Sequence, residues 1–205
     1  MLTVHHLGIS QSDRIVWLCE ELELPYDLVR YERDAETRLA PAEYKALHPA
    51  GTAPVITDGD LVLAESGAII DYIVARHGDG RLTVKAADPA FARYLYWYHF
   101  ANGSLMPSMM MLMAEGAAAE TMRVRAERGL GALDNHFAQG HVWLAGDAFT
   151  VADIMIAFPL TTMRMFVPVD FAPYANIRNY LQRLTARPAF QRAMAKADPG
   201  LVLDL

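Results

Sequence analysis

A mixed α/β first domain followed by an all-helical second one is the fold class that this 205-residue sequence predicts. Three observations carry it. Up to His77, short apolar or β-branched runs alternate with stretches of helical spacing, which is the pattern of a sheet with crossover helices. Beyond Asp88-Pro89 the spacing is helical throughout, with no convincing strand. Within that second region, Thr150-Val151-Ala152-Asp153 holds the full chemistry of a helix start.

The elements follow in order. Leu2 to Leu7 alternates and reads as a strand. Ser12-Asp13 precedes a helical run through Ile15, Leu18, Cys19 and Leu22, which ends near Leu24-Pro25. Tyr26 to Tyr31 alternates again as a second strand. The polar segment Glu32 to Ala46 reads as an irregular loop with a short helix around Pro41 to Leu47. Val55-Ile56-Thr57 and Leu61-Val62-Leu63 flank Asp58-Gly59, a strong hairpin signal because the tight turn needs positive φ. Pro54 cannot donate to a ladder, so it marks a strand start or a bend. Ser66 then reads as the N-cap of a helix through Ala68, Ile69, Tyr72 and Ile73, closing near His77-Gly78. Strand, helix, strand, helix, hairpin, helix is the order of a thioredoxin-like domain.

The boundaries fall at 1–79 for this domain, 80–88 for a polar linker and 89–205 for the helical domain. Four helices are expected there, over Phe91–Met113, Ala117–Gly140, Val151–Met165 and Asn176–Ala197. Thr150 as N-cap and Asp153 at the third helical position form a capping box, with Phe149 and Ile154 placed for a hydrophobic staple.

Composition narrows the function. Hydrophobic residues make up 53% of the chain, enough for a sizeable core, and the net charge of -6 argues against nucleic acid or an anionic membrane as partner. One cysteine, Cys19, excludes an internal disulfide and a cysteine-based zinc site. No apolar stretch reaches the roughly 20 residues of a membrane span, and the N-terminus carries no leader pattern. A cytoplasmic, metal-free protein is the expectation. His5-His6 reads as two strand residues on opposite faces.

The succession Gly51-Thr52-Ala53-Pro54-Val55-Ile56, hairpin, Glu65-Ser66-Gly67 and capped helix resembles the glutathione-binding half of cytosolic glutathione transferases. The capping box and the tail Arg187-Pro188-Ala189-Phe190 extend the resemblance to the helical half. The strings Arg30-Tyr31-Glu32-Arg33-Asp34 and Val55-Ile56-Thr57-Asp58-Gly59 resemble the bacterial and fungal branch. The resemblance implies that Pro54 is cis, that the Val55 backbone meets the cysteinyl part of glutathione, and that Glu65 and Ser66 hold its γ-glutamyl end. Without the resemblance, Glu65 reads as an exposed first-turn acid that favours the helix dipole. Thr52 departs from the pattern, since many relatives carry a lysine there for the glycyl carboxylate. His48, Arg33 or Arg38 are candidates to replace it.

A transferase must hold the glutathione thiol as thiolate near neutral pH. Lowering a thiol pKa by two units from about 8.5 requires about 2.7 kcal/mol. A hydroxyl hydrogen bond to a charged acceptor supplies about 1.5–3 kcal/mol, and a helix N-terminus adds roughly 0.3–1 kcal/mol. One hydroxyl at the start of the first helix is therefore enough, and Ser10 and Ser12 both qualify. Ser12 is the better N-cap. Ser10 lies in the preceding loop, where serine-type family members place the catalytic hydroxyl. Arg14 either lends positive field to the thiolate or is a solvated first-turn residue. Cys19, on the apolar stripe of the helix, reads as inert core.

The run Leu105-Met106-Pro107-Ser108-Met109-Met110-Met111-Leu112-Met113 reads first as core packing, with a break at Pro107. In the family this region lines the second-substrate site, which makes Met106, Met110, Tyr98, Asn102 and Phe166 candidates. The function implied is a homodimeric, serine-type glutathione transferase that conjugates glutathione, as co-substrate, to a hydrophobic electrophile. A glutathione-dependent peroxidase or disulfide reductase, and a non-catalytic binding module, stand as alternatives.

Overall fold

The structure, a computed structural model, describes residues 1–203, and they form two compact units. The first comprises Met1–Arg81 together with Arg187–Val202; the second is Leu82–Ala186. This differs from division at a linker over 80–88, because the last helix joins the first unit.

In the first unit, β1 (Leu2–Leu7), α1 (Asp13–Glu21), β2 (Asp27–Tyr31), α2 (Ala42–Lys45), β3 (Val55–Asp58), β4 (Leu61–Ala64) and α3 (Ser66–Arg76) follow the expected order. The sheet runs β2-β1-β3-β4, with β1 and β2 parallel and the other pairs antiparallel. Leu7 pairs with Tyr31, His5 with Val55, and Val55 with Ala64. The register therefore gathers the ends of β1, β2 and β4 and the start of β3 at one end of the sheet. Every candidate for glutathione contact lies on chain entering or leaving that end.

The hairpin turn sits one residue later than expected. Asp58 still pairs, with Leu61, and Gly59 takes φ of +60° in a Gly59-Asp60 turn. Asp58 is kept in the strand by its side chain, which accepts from Tyr72 Oη at 3.0 Å and meets His77 Nε2 at 2.7 Å. The hydrogen bonds from His77 and Tyr72 hold its carboxyl below the ordinary value.

Helix α1 is enclosed, every residue from Asp13 to Glu20 being buried. One covering element is α9 (Pro188–Ala197). The Trp17 and Phe190 rings meet edge to face at 5.0 Å, and Arg187 grips Glu21 through two bonds of 2.6 and 2.7 Å. Glu20 accepts from Arg192, Lys196 and Tyr26. Burial works to raise its carboxyl, yet these donors hold it below the ordinary value. The expected single helix Asn176–Ala197 is thus two, α8 (Ala175–Thr185) and α9. The break has a local cause: Arg187, before Pro188, is extended at ψ 129°, as the ring of a following proline demands.

The second unit holds α4 (Phe91–Phe100), α5 (Met106–Met110), α6 (Ala117–Ala138), α7 (Val151–Leu160) and α8. The expected helix Phe91–Met113 is interrupted by a π-helical turn over Ala101–Leu105 and ends in a 3₁₀ turn at Met111–Met113. Pro107, which lacks an N–H, sits just after the π turn, where a regular ladder would need one. Helix α6 passes close by, since a Cβ on Gly129 would lie 3.1 Å from the Phe100 ring and 3.3 Å from Leu105.

All ten residues of α7 are buried, so this apolar helix is the centre of the unit. Its start is the capping box: Thr150 Oγ1 accepts from Ala152 N at 3.3 Å, and Asp153 Oδ2 accepts from Thr150 N at 2.9 Å. Phe149 lies edge-on to Trp143 at 5.1 Å. Thr150→Ala is expected to destabilise the protein by about 1 kcal/mol, read as a lower urea midpoint at unchanged glutathione affinity.

Candidate active site

The loop from β1 to α1 places two hydroxyls at the gathered end of the sheet. Ser10 Oγ donates to Leu7 O at 2.6 Å and lies 2.7 Å from Ser12 Oγ. Ser12 sits at the N-cap position of α1, but its hydroxyl does not cap the helix. It instead accepts from Leu7 N at 3.1 Å and meets His6 Nδ1 at 2.9 Å. The N-cap reading of Ser12 is therefore right in position and wrong in bonding, because a buried strand histidine offers a stronger partner than the helix amides. Ser12 is fully buried and Ser10 retains 5% exposure. Between Leu7 and Ser10 the backbone turns through Ile9 at φ +51°, a strained value for a β-branched residue. Asp198 Oδ1, accepting from Ile9 N at 3.0 Å, and Arg33 Nη2, donating to Ile9 O at 3.2 Å, hold it there.

The Ala53-Pro54 bond is cis, and Val55 opens β3 directly beside His5 of β1. Leu7, Val55, Ala64 and Tyr44 form the apolar floor of this end, with the Tyr44 hydroxyl donating to His5 O at 3.3 Å. Burial pushes that phenol up, so it remains a neutral donor.

At the opposite flank Glu65, not Ser66, occupies the N-cap position of α3, with φ at +73° and its side chain exposed. Ser66 is the first helical residue and is buried. Its hydroxyl lies 3.4 Å from both Gln11 Oε1 and Arg14 Nη1, and Arg14 Nη1 donates to Gln11 at 2.8 Å. Arg14 is 1% exposed, which overturns its reading as a solvated first-turn residue. Gln11 and Arg14 thus join the serine loop to the Glu65-Ser66 turn. Gln11 was missed, for its role depends on a neighbour 55 residues away.

The candidates for the glycyl carboxylate do not converge. Thr52 is exposed, and His48 Nδ1 accepts from Ala50 N at 3.1 Å in a local turn. Arg33 donates to Gly8 O, Ile9 O and Arg38 O, so it braces the loop. With Arg30, Arg38, Glu32 and residues Asp198 to Leu201, it lines a cleft of 330 Å³.

Comparison with known proteins decides what this arrangement belongs to. The chain matches the model of the glutathione S-transferase N-terminal domain over residues 10–76 and that of the C-terminal domain over 87–188. A glutathione S-transferase from Actinobacillus pleuropneumoniae, solved as a crystal structure, is 35% identical with a TM-score of 0.89, covering 98% of this chain and 94% of that one. The chain belongs to the glutathione S-transferase family. Both halves of that enzyme are present. Glutathione S-transferase 3 of Schizosaccharomyces pombe is 29% identical, over 97% of this chain and 88% of that protein. The disulfide-bond oxidoreductase YfcG of Escherichia coli K12 is 26% identical, over 98% and 97%.

Within this transferase-family chain the second-substrate candidates fall in different settings of the helical unit. Tyr98 is 4% exposed and stacks on Tyr94 at 5.9 Å. Asn102 lies in the π-helical turn, its Oδ1 buried and without a hydrogen bond among the described residues. Met106 is half-buried, while Met110 and Phe166 are exposed, the latter 6.3 Å from the Phe158 ring. Of the methionine run, Met109 and Leu105 are core. Two clefts of this unit, of 350 and 440 Å³, are lined by none of the five.

Cys19 is wholly buried, and burial pushes its thiol up to about 12. It is expected to resist thiol reagents in the native protein at neutral pH and to react on unfolding in urea, as followed by mass spectrometry.

Proposed function

We propose that this family member is a serine-type transferase that conjugates the glutathione thiolate to apolar electrophiles. Ser10 supplies the hydrogen bond that stabilises the thiolate, the cis-Pro54–Val55 segment meets the cysteinyl backbone, and Glu65 and Ser66 take the γ-glutamyl end. The thiolate then attacks the electrophile, forming a carbon–sulfur bond as the leaving group departs with its electron pair. The observation that carries this reading is the pair of serine hydroxyls at the α1 N-terminus, on the same sheet end as Pro54 and bridged through Gln11 and Arg14 to Ser66. In this reading the protein works in detoxification as a cytoplasmic homodimer, with no metal, nucleic acid or membrane partner.

The disulfide-bond oxidoreductase among its relatives favours a second reading, reduction of hydroperoxides or mixed disulfides. With Cys19 buried, that chemistry would consume two glutathione molecules. Rates with an aryl halide, a hydroperoxide and a mixed disulfide separate the two. Conjugation of the aryl halide is expected to dominate, and turnover confined to the other two substrates would overturn the transferase reading. Capture on immobilised glutathione distinguishes both from a non-catalytic binding module.

A further inference from the structure

The serine pair does not end at Ser12. His6 is fully buried, with Nδ1 at 2.9 Å from Ser12 Oγ and Nε2 at 3.2 Å from Asp198 Oδ2. Both atoms are buried and, among the described residues, neither has a hydrogen-bond partner, so this ion-pair contact is what each one faces. The groups therefore form a chain, Ser10, Ser12, His6, Asp198, that leads from the outermost hydroxyl to a carboxylate just beyond α9. Burial works to raise the Asp198 carboxyl, but His6, the Ile9 N–H and Arg30 hold it below its ordinary value, so it faces Nε2 as an anion. In the neutral ring, a proton on Nε2 facing this carboxylate leaves Nδ1 free to accept from the Ser12 hydroxyl, and the relay uses this tautomer. The other charged groups around the ring are Arg30, opposite His6 on β2, and Arg33, whose charge acts on Asp198. Glu32 stands beside Gly8, and Asp13 and Arg14 follow Ser12 on α1.

We propose that His6, backed by Asp198, takes up the thiol proton of glutathione through the two serines, an inference that rests on the glutathione reading above. The Ser10 hydroxyl first turns from Leu7 O to Ser12 Oγ, 2.7 Å away; the sulfhydryl proton then passes to Ser10 Oγ as the Ser10 proton passes to Ser12 Oγ and the Ser12 proton to His6 Nδ1. The S–H bond breaks with its electron pair left on sulfur, and an N–H bond forms on the ring. Both serines end as neutral hydroxyls. Ser10 now donates to the thiolate, Ser12 to Ser10, and His6 to Ser12. The imidazolium that forms is stabilised by the carboxylate on its far side, the division of labour of a serine–histidine–aspartate triad. His6 and Asp198 never touch the substrate; they act through the serines.

Proton inventory tests this directly. Glutathione is titrated into the protein by calorimetry at neutral pH in buffers of different ionisation enthalpy, with thiolate followed by ultraviolet absorbance and S-methylglutathione as the ligand without a thiol proton. Wild type is expected to form thiolate while releasing almost no proton to the buffer. His6→Asn keeps a partner for Ser12 but holds no proton. It should bind S-methylglutathione with unchanged affinity, hold about tenfold less thiolate, equivalent to a midpoint about one pH unit higher, and release one proton per thiolate formed. Asp198→Asn, which retains an oxygen for Ile9 N–H, should shift the midpoint in the same direction. Thiolate formed in wild type with release of a full proton overturns the relay, whatever the variants do, and leaves the glutathione reading standing. Wild type that binds neither ligand overturns the glutathione reading and the relay with it.

Discussion

Ser10→Ala is expected to lower kcat/KM for conjugation by about 10- to 150-fold, the kinetic equivalent of a hydrogen bond to a charged acceptor worth about 1.5–3 kcal/mol. The fold should lose about 1 kcal/mol, since Ser10 Oγ donates to Leu7 O and accepts only a long bond, 3.3 Å, from Ser12 N. Ser12→Ala should behave differently. It removes the acceptor of the Leu7 amide and the partner of His6, both buried, and is expected to cost about 1–3 kcal/mol of stability as well as activity. Steady-state kinetics beside urea unfolding separate the two. A Ser10→Ala protein with full activity, next to an inactive but stable Ser12→Ala protein, would exchange the roles assigned to them.

Asp153→Ala is expected to be the most destabilising single change, by about 3–5 kcal/mol, because each buried donor left without an acceptor costs about 1–3 kcal/mol. The wholly buried carboxylate accepts from Leu144 N, Thr150 N, Thr150 Oγ1 and Tyr180 Oη, and alanine strands all of them. The pH dependence is set by burial, which outweighs these bonds and pushes the carboxyl up to about 6 from 3.8. The native state therefore holds this proton more tightly than the unfolded chain. Its contribution to stability is complete below the unfolded value of 3.8 and is lost as pH rises through about 6. The amide introduced by Asp153→Asn does not titrate, so the stability gap between wild type and this variant should be widest near pH 4 and narrow toward pH 7. Glu20, Asp58 and Asp198, held low, act in the opposite sense but equally in both proteins. Urea midpoints by tryptophan fluorescence give the gap, and one that widens toward pH 7 would show that the donors outweigh burial.

What could be read from the sequence was local. The Thr150–Asp153 box needs only residues three apart, and the hairpin, though shifted by one, was declared by Asp58-Gly59 and its flanks. The strand and helix order of the first unit followed from periodicity alone. The corrections share one cause, a partner far along the chain. Ser12 leaves its helix amides because His6 stands beside it; Arg14 is buried because Ser66 and Gln11 receive it. Asp198 carries no signal at all, since nothing around it in sequence points to His6 or to Ile9, which lies 189 positions earlier. Pattern places side chains on a face, and only the sheet register decides which faces meet.

The docking of α9 on α1 sets an order of events for a chain growing from the ribosome. The segment that covers Trp17 and neutralises Glu20 and Glu21 is not made until the whole of Leu82–Ala186 has been translated. At about 5–20 residues per second, that interval is on the order of 5–20 s. Throughout it, the apolar and acidic face of α1 lacks α9, whereas the helical unit has its sequence through Ala186 as soon as the interval ends. The half of the molecule that is synthesised first is therefore completed last.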